Sequence, residues 1–196
     1  MALFDRFRRP KPERKDELIG IQLGSIVELR DSYTIENSPD HDPVSYTVTE
    51  RRTYSSPDLR RYVYKLEQSG SETVFLAVDE DLENDEVTAG RFVLDNEHDT
   101  EDDPPDVMTL EFDAGGAEEF QLTFDSPVEL AVRTENREIK YDAKIFDYES
   151  EEGAVLLIER CGGHAMQFLG CGIDRSDVYV YPSEEDEGKY IEELGA

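Results

Sequence analysis

A chain of 196 residues can bury a real core, as one domain or two small ones. Its 48 acids and 20 bases leave a formal charge of −28, far beyond the magnitude of about 2–8 usual for a small soluble domain. The 10 Tyr, the 9 Phe and the runs of Val and Ile speak against disorder; the shortage of bases speaks against nucleic acid, whose binding rests on neutralising phosphate.

The acids are spread over nearly every segment, and only six of the bases are lysines. That pattern fits a cytoplasm holding molar salt, where the Debye length falls to about 3 Å and self-repulsion is screened. Read so, the acidity reports the solvent and not a basic partner.

Residues 1–15 oppose the rest in charge: Arg6, Arg8, Arg9, Lys11, Arg14 and Lys15 face only Asp5 and Glu13. Leu3, Phe4 and Phe7 share a helical spacing before Pro10 and Pro12 end any helix. Two readings stay open, a solvated terminus or a small amphipathic foot for an anionic membrane or an acidic partner. The terminus has no apolar centre of 7–15 residues, so it does not read as a secretory signal. No uninterrupted apolar stretch exceeds that of Ala154 to Ile158, far below the roughly 20 residues of a spanning helix. A cytoplasmic location is expected, with peripheral contact at the inner face of the membrane if the foot is real.

From residue 18 the pattern predicts short strands. Ser25–Arg30 and Ser32–Glu36 flank a tight turn, and Ser45–Tyr54 alternates in part, as a half-buried strand does. Arg61–Gln68 and Thr73–Asp79 are joined by a short Gly-containing loop suited to a hairpin, and Arg91–Leu94 is a further, weaker strand. Residues 95–106 then carry seven acids and a Pro-Pro step, which reads as a linker or long surface loop. Beyond it lie Val107–Phe112, Glu119–Phe124, Val128–Arg133, Glu138–Tyr148, Ala154–Cys161, His164–Leu169 and Val178–Tyr181. The expected fold is mostly β, an antiparallel barrel or sandwich, with two small β units (18–94 and 107–182) as an option. Residues 1–17 form a basic leader to it, and 183–196 an acidic tail in which 189–194 could add a helical turn.

The one compact cluster of reactive types is Cys161, His164 and Cys171, in CGGHAMQFLGC. A structural zinc site wants four ligands in paired short spacings, and no fourth is obvious; His41 and His98 are remote in sequence. Packed small thiols on two strands joined by a Gly-Gly turn are the expectation, and no metal or cofactor is assigned. In a strand, the offset of three would set His164 on the face opposite Cys161. The acids from Asp79 to Glu86 suggest a calcium loop but lack the glycine its turn requires. No phosphate loop, G-x-S-x-G or H-E-x-x-H occurs, so no catalytic residue is assigned.

Three stretches, in order, carry a family likeness: MALFDRF followed by LIGIQLGSIVELR; YVYKLEQSGSETVFLAVDED; and CGGHAMQFLGCGIDRSDVYVYP. With them the chain resembles the YjfK-like family of bacterial proteins of unknown function. The resemblance implies a β-rich partner protein, because members are often encoded beside phage-shock-type membrane-stress proteins. The function expected is therefore non-catalytic interaction, with Leu3, Phe4, Phe7, Arg6, Arg8 and Arg9 as the contact residues. A small ligand-binding β-barrel or enzyme, or a metal protein using Cys161, His164 and Cys171, is the alternative.

Overall fold

Alternating and continuous apolar runs become eleven antiparallel strands in the computed structural model, which describes residues 17–38, 40–70, 73–82, 86–112 and 115–183. In chain order they are β1 (Ile26–Leu29), β2 (Val44–Ser55), β3 (Arg60–Glu67), β4 (Val74–Asp81), β5 (Glu86–Asp99), β6 (Val107–Glu111), β7 (Ala117–Thr134), β8 (Arg137–Ser150), β9 (Ala154–Cys161), β10 (His164–Ile173) and β11 (Val178–Tyr181). Their order across the sheet is β11-β1-β2-β3-β4-β5-β10-β9-β8-β7-β6. A further pairing of β2 with β7 closes a ring of eight strands, β2 to β5 and β7 to β10, so the expected antiparallel β fold is realised with a barrel-like closure.

Closure depends on strands that change partners. Residues 44–47 of β2 pair with β1 and residues 50–55 with β7, and its register against β3 shifts between Val48 and Glu50. β7 likewise pairs with β6 through 117–121 and with β2 through 129–134, and its register against β8 shifts between Leu122 and Phe124. Such irregularities bend a strand and raise its twist, which is what a small ring needs. Pro127 sits where β7 has only β8 beside it, a place where a residue without an N–H is tolerated.

Three expected elements come out differently. Ser32–Glu36 is not a strand; Ser32–Asn37 forms the short helix α1. Asp31 caps it, accepting from the Thr34 amide at 3.0 Å and from the Thr34 hydroxyl, and this local cap outweighs the β preference of Tyr33, Thr34 and Ile35. Residues 95–99 are not loop: they continue β5, with Asn96 to Asp99 paired to His164 to Gln167 of β10. Strands from both sides of the acidic segment thus join one sheet. The two strands expected between 119 and 133 are a single β7.

The wall is buried on both faces where it is most apolar, as in Val74–Val78 of β4 and Leu156–Glu159 of β9. Inside the ring, Tyr54, Val63, Phe75, Phe92, Leu130, Ile145, Leu157 and Phe168 pack together. Outside it, residues 18–29 and β11 cover Tyr64, Leu66, Leu76 and Val78. On another part of the outer wall, Phe146, Tyr148, Leu156 and Ile158 pack with Phe120, and β6 lends Met108 and Leu110. One fully buried tyrosine fastens each cover. The Tyr64 hydroxyl donates to the Leu18 carbonyl at 2.8 Å and accepts from the Gly20 and Ile21 amides. Tyr148 donates to the Pro105 carbonyl at 2.9 Å, and burial pushes its pKa up to about 12. The 100–106 segment is held further by Asp103, which meets both Lys144 and Arg160.

Within the ring, Phe92 lies over two glycines: a Cβ on Gly90 would come within 2.6 Å of its ring, and one on Gly170 within 2.0 Å of the Arg91 carbonyl. The approach of β5 to β10 therefore requires glycine at position 170.

Candidate functional site

Inward positions of the ring strands carry charge as well as aromatics, and these side chains fill it. Arg61 of β3 lies between Asp79 of β4 and Asp147 of β8. Its guanidinium makes two forked pairs, to Asp79 at 2.6 and 2.7 Å and to Asp147 at 2.7 and 2.7 Å. Nearby, Glu159 of β9 takes the Arg52 Nη1 at 2.9 Å on both oxygens and the Tyr54 hydroxyl at 2.6 Å, while Arg52 Nε donates to Glu50.

Burial would lower both arginines' pKa values, but the carboxylates beside them outweigh it and hold them raised, so both stay charged. Burial, with Glu159 adjacent, pushes the Tyr54 phenol well above its usual range and keeps it neutral. Groups so displaced from neutrality are poorly suited to moving protons, which calls for a pKa near the working pH. What remains between the two networks is a cavity of about 20 Å³, lined by Val63, Phe75, Phe92, Leu157 and Phe168. That is room for about one water molecule. The open mouth beyond Arg61, about 240 Å³, is lined by Asp79, Thr88, Thr123, Asp147 and Glu149, and two of its three carboxylates already face Arg61.

Cys161 and His164 are register partners across the Gly162–Gly163 turn and share a face; the turn, not a continuous strand, sets their relation, which corrects the expected opposition. Cys171 lies opposite Ala154, seven residues along β9 from Cys161 and so about 23 Å away at about 3.3 Å per residue. The three are not brought together, and both cysteines are half-buried free thiols. Burial and Glu159 raise the Cys161 pKa, which disfavours a reactive thiolate. His164 instead reaches Glu97 at 3.0 Å and Asp99 at 3.2 Å on the surface. Among the described residues no three or more His, Cys, Asp or Glu side chains are grouped to hold a metal ion. Asp79, at the head of the supposed calcium loop, is an ion-pair partner of Arg61.

The contact residues expected at the N-terminus, Leu3, Phe4, Arg6, Phe7, Arg8 and Arg9, lie outside the described residues, as do 184–196. No described helix is long and apolar enough to cross a membrane.

Sequence reasoning passed over the edge of the sheet. β11, with the sequence VYVY, ends the strand order beside β1, and no described strand covers its outer edge. Tyr179 and Tyr181 are 40% and 46% exposed, and the Arg30 guanidinium stacks over the Tyr179 ring at 4.1 Å. A groove of about 440 Å³ runs beside the strand between Glu17, Leu18, Arg175 and Tyr181. Free edges are usually guarded by charge, most often lysine. Here a chain of charge −28 leaves one edge strand with no charged residue. No family model, curated protein or solved structure matches this chain.

Proposed function

We propose that the protein is a non-catalytic interaction protein that takes an extended segment of a partner protein onto the outer edge of β11. The observation that carries this reading is that tyrosine-bearing edge strand, which has no charged residue of its own. In strand addition, backbone hydrogen bonds supply affinity and side-chain pockets supply selection. Four residues offer a short ladder, so the exposed rings of Tyr179 and Tyr181 provide much of the contact area. The filled ring supports the same reading, since a rigid scaffold with its inner charges paired presents its surface rather than its lumen.

The setting proposed is a salt-adapted cytoplasm, supported by the acidity of the chain, and the partner class is the membrane-stress proteins that the family resemblance implies. Residues 1–15 would add a peripheral membrane foot through Leu3, Phe4 and Phe7, because molar salt screens the arginines.

Affinity capture in molar potassium chloride with quantitative mass spectrometry tests the edge. The double variant Tyr179→Lys/Tyr181→Lys should lose a membrane-stress partner that wild type retains, by about tenfold or more, while staying folded. Equal recovery by both chains would refute the edge as the docking site. Flotation with anionic vesicles tests the foot: Phe4→Ser/Phe7→Ser should abolish any co-flotation, and loss of the arginines should weaken it less.

A further inference from the structure

Among the described residues two arginines are more than nine-tenths buried, Arg61 at 6% exposure and Arg91 at 7%. The first is saturated by carboxylates; the second meets none among the described residues. Arg91 of β5 has its guanidinium 4.1 Å from the centre of the Tyr33 ring on α1, and its Nε is buried without a hydrogen-bond partner. Among the described residues it forms no ion pair, and its guanidinium has the Tyr33 ring as neighbour. A buried cation left uncompensated costs several kcal/mol, which makes its retention informative.

Arg91 also lines a groove of about 560 Å³ between α1, the 40–46 segment and the end of β3, a volume usual for small-molecule sites. Tyr33, Tyr46 and Val74 give the groove apolar surface, Asn37 and Ser38 add polar atoms, and Asp40 and Asp42 stand at its exposed rim.

We propose that this groove binds a small zwitterion whose carboxylate pairs with Arg91 and whose cationic amine faces Asp40 and Asp42. The planar guanidinium fork matches a carboxylate, and with Tyr33 stacked on its face the edge is the part left to bind. A simple anion would meet the rim acids Asp40 and Asp42. A simple cation would meet Arg91. A molecule carrying both charges, of the size of an amino acid or a betaine, satisfies the two ends and brings no net charge. The groove is separate from the β11 edge, and neither proposal depends on the other.

Calorimetric titration of the full chain in constant molar potassium chloride tests this, with glycine betaine and proline as zwitterions. Acetate and tetramethylammonium serve as the separate halves. Both zwitterions should saturate, and each half should bind at least about tenfold more weakly. Arg91→Met should remove saturable binding, and Asp40→Asn/Asp42→Asn should weaken betaine by about tenfold while narrowing its advantage over acetate. The aspartates are exposed, so the double variant keeps the fold; should Arg91→Met fail to fold by circular dichroism, Arg91→Lys, which loses the fork, replaces it. Failure of both zwitterions to saturate, acetate binding as tightly as betaine, or unchanged binding in the Arg91 variant would each overturn the proposal.

Discussion

Arg61 and Arg91 are equally buried and differ in everything else. Arg61 points into the ring, where four hydrogen bonds to Asp79 and Asp147 hold it. Arg91 sits on the outer face under α1, with a tyrosine ring for company and, among the described residues, no carboxylate. Burial alone therefore does not say what a charged residue is for. The complement does: a closed ion pair is a structural unit, whereas an open one has a valence that something else can fill.

The largest effect should come from opening the closed unit. Arg61→Met leaves two carboxylates facing each other inside the ring and should lower stability by about 3–5 kcal/mol, read from urea unfolding at fixed salt. A loss below about 1 kcal/mol would mean that water already reaches the pair. Gly170→Ala strikes the pairing of β5 with β10, because the new methyl meets the Arg91 carbonyl and Phe92. A cost of about 1–3 kcal/mol is expected, with faster amide exchange along β5 and β10.

Much of the ring was legible in the sequence. Alternation in 138–148 and the apolar run in 154–158 mark β8 and β9, because half-buried and doubly buried strands leave those patterns. Helix α1 was not legible, since the deciding contact is a single cap at Asp31. The acid-rich end of β5 was hidden as well: its exposed carboxylates read as loop, and only pairing with β10 makes it strand. Of the inner site, the pattern showed just that Arg61 opens a strand. Its partners lie 18 and 86 residues away, a relation set by register and invisible in a linear string. Nothing marked Arg91 either, because the feature that distinguishes it is an absent neighbour. The Cys161, His164 and Cys171 group was conspicuous in sequence and comes apart in three dimensions, since β10 carries Cys171 to the far end of the hairpin.

His164 extends the comparison to the surface. Glu97 and Asp99 raise its pKa above the ordinary value. A raised folded-state value means that the charged pair contributes its full stability below about pH 6.5, the unfolded value, and loses it as pH rises through the folded one. The imidazole titration followed by NMR should fall back toward the ordinary value in Glu97→Gln/Asp99→Asn. His164→Ala should lower the unfolding midpoint below about pH 6.5, by an amount that shrinks as pH rises through the folded value. A wild-type imidazole titrating at or below the ordinary value would remove this pair from the scheme.

The most direct measurement compares Arg91→Met with Arg61→Met by urea unfolding in the same molar-salt buffer, without added ligand. If Arg91 is an open valence, replacing it with a side chain of similar length and no charge costs the fold less than about 1 kcal/mol or stabilises it, against about 3–5 kcal/mol for Arg61→Met. Equal losses from the two substitutions would contradict the distinction and make Arg91 a structural residue like Arg61.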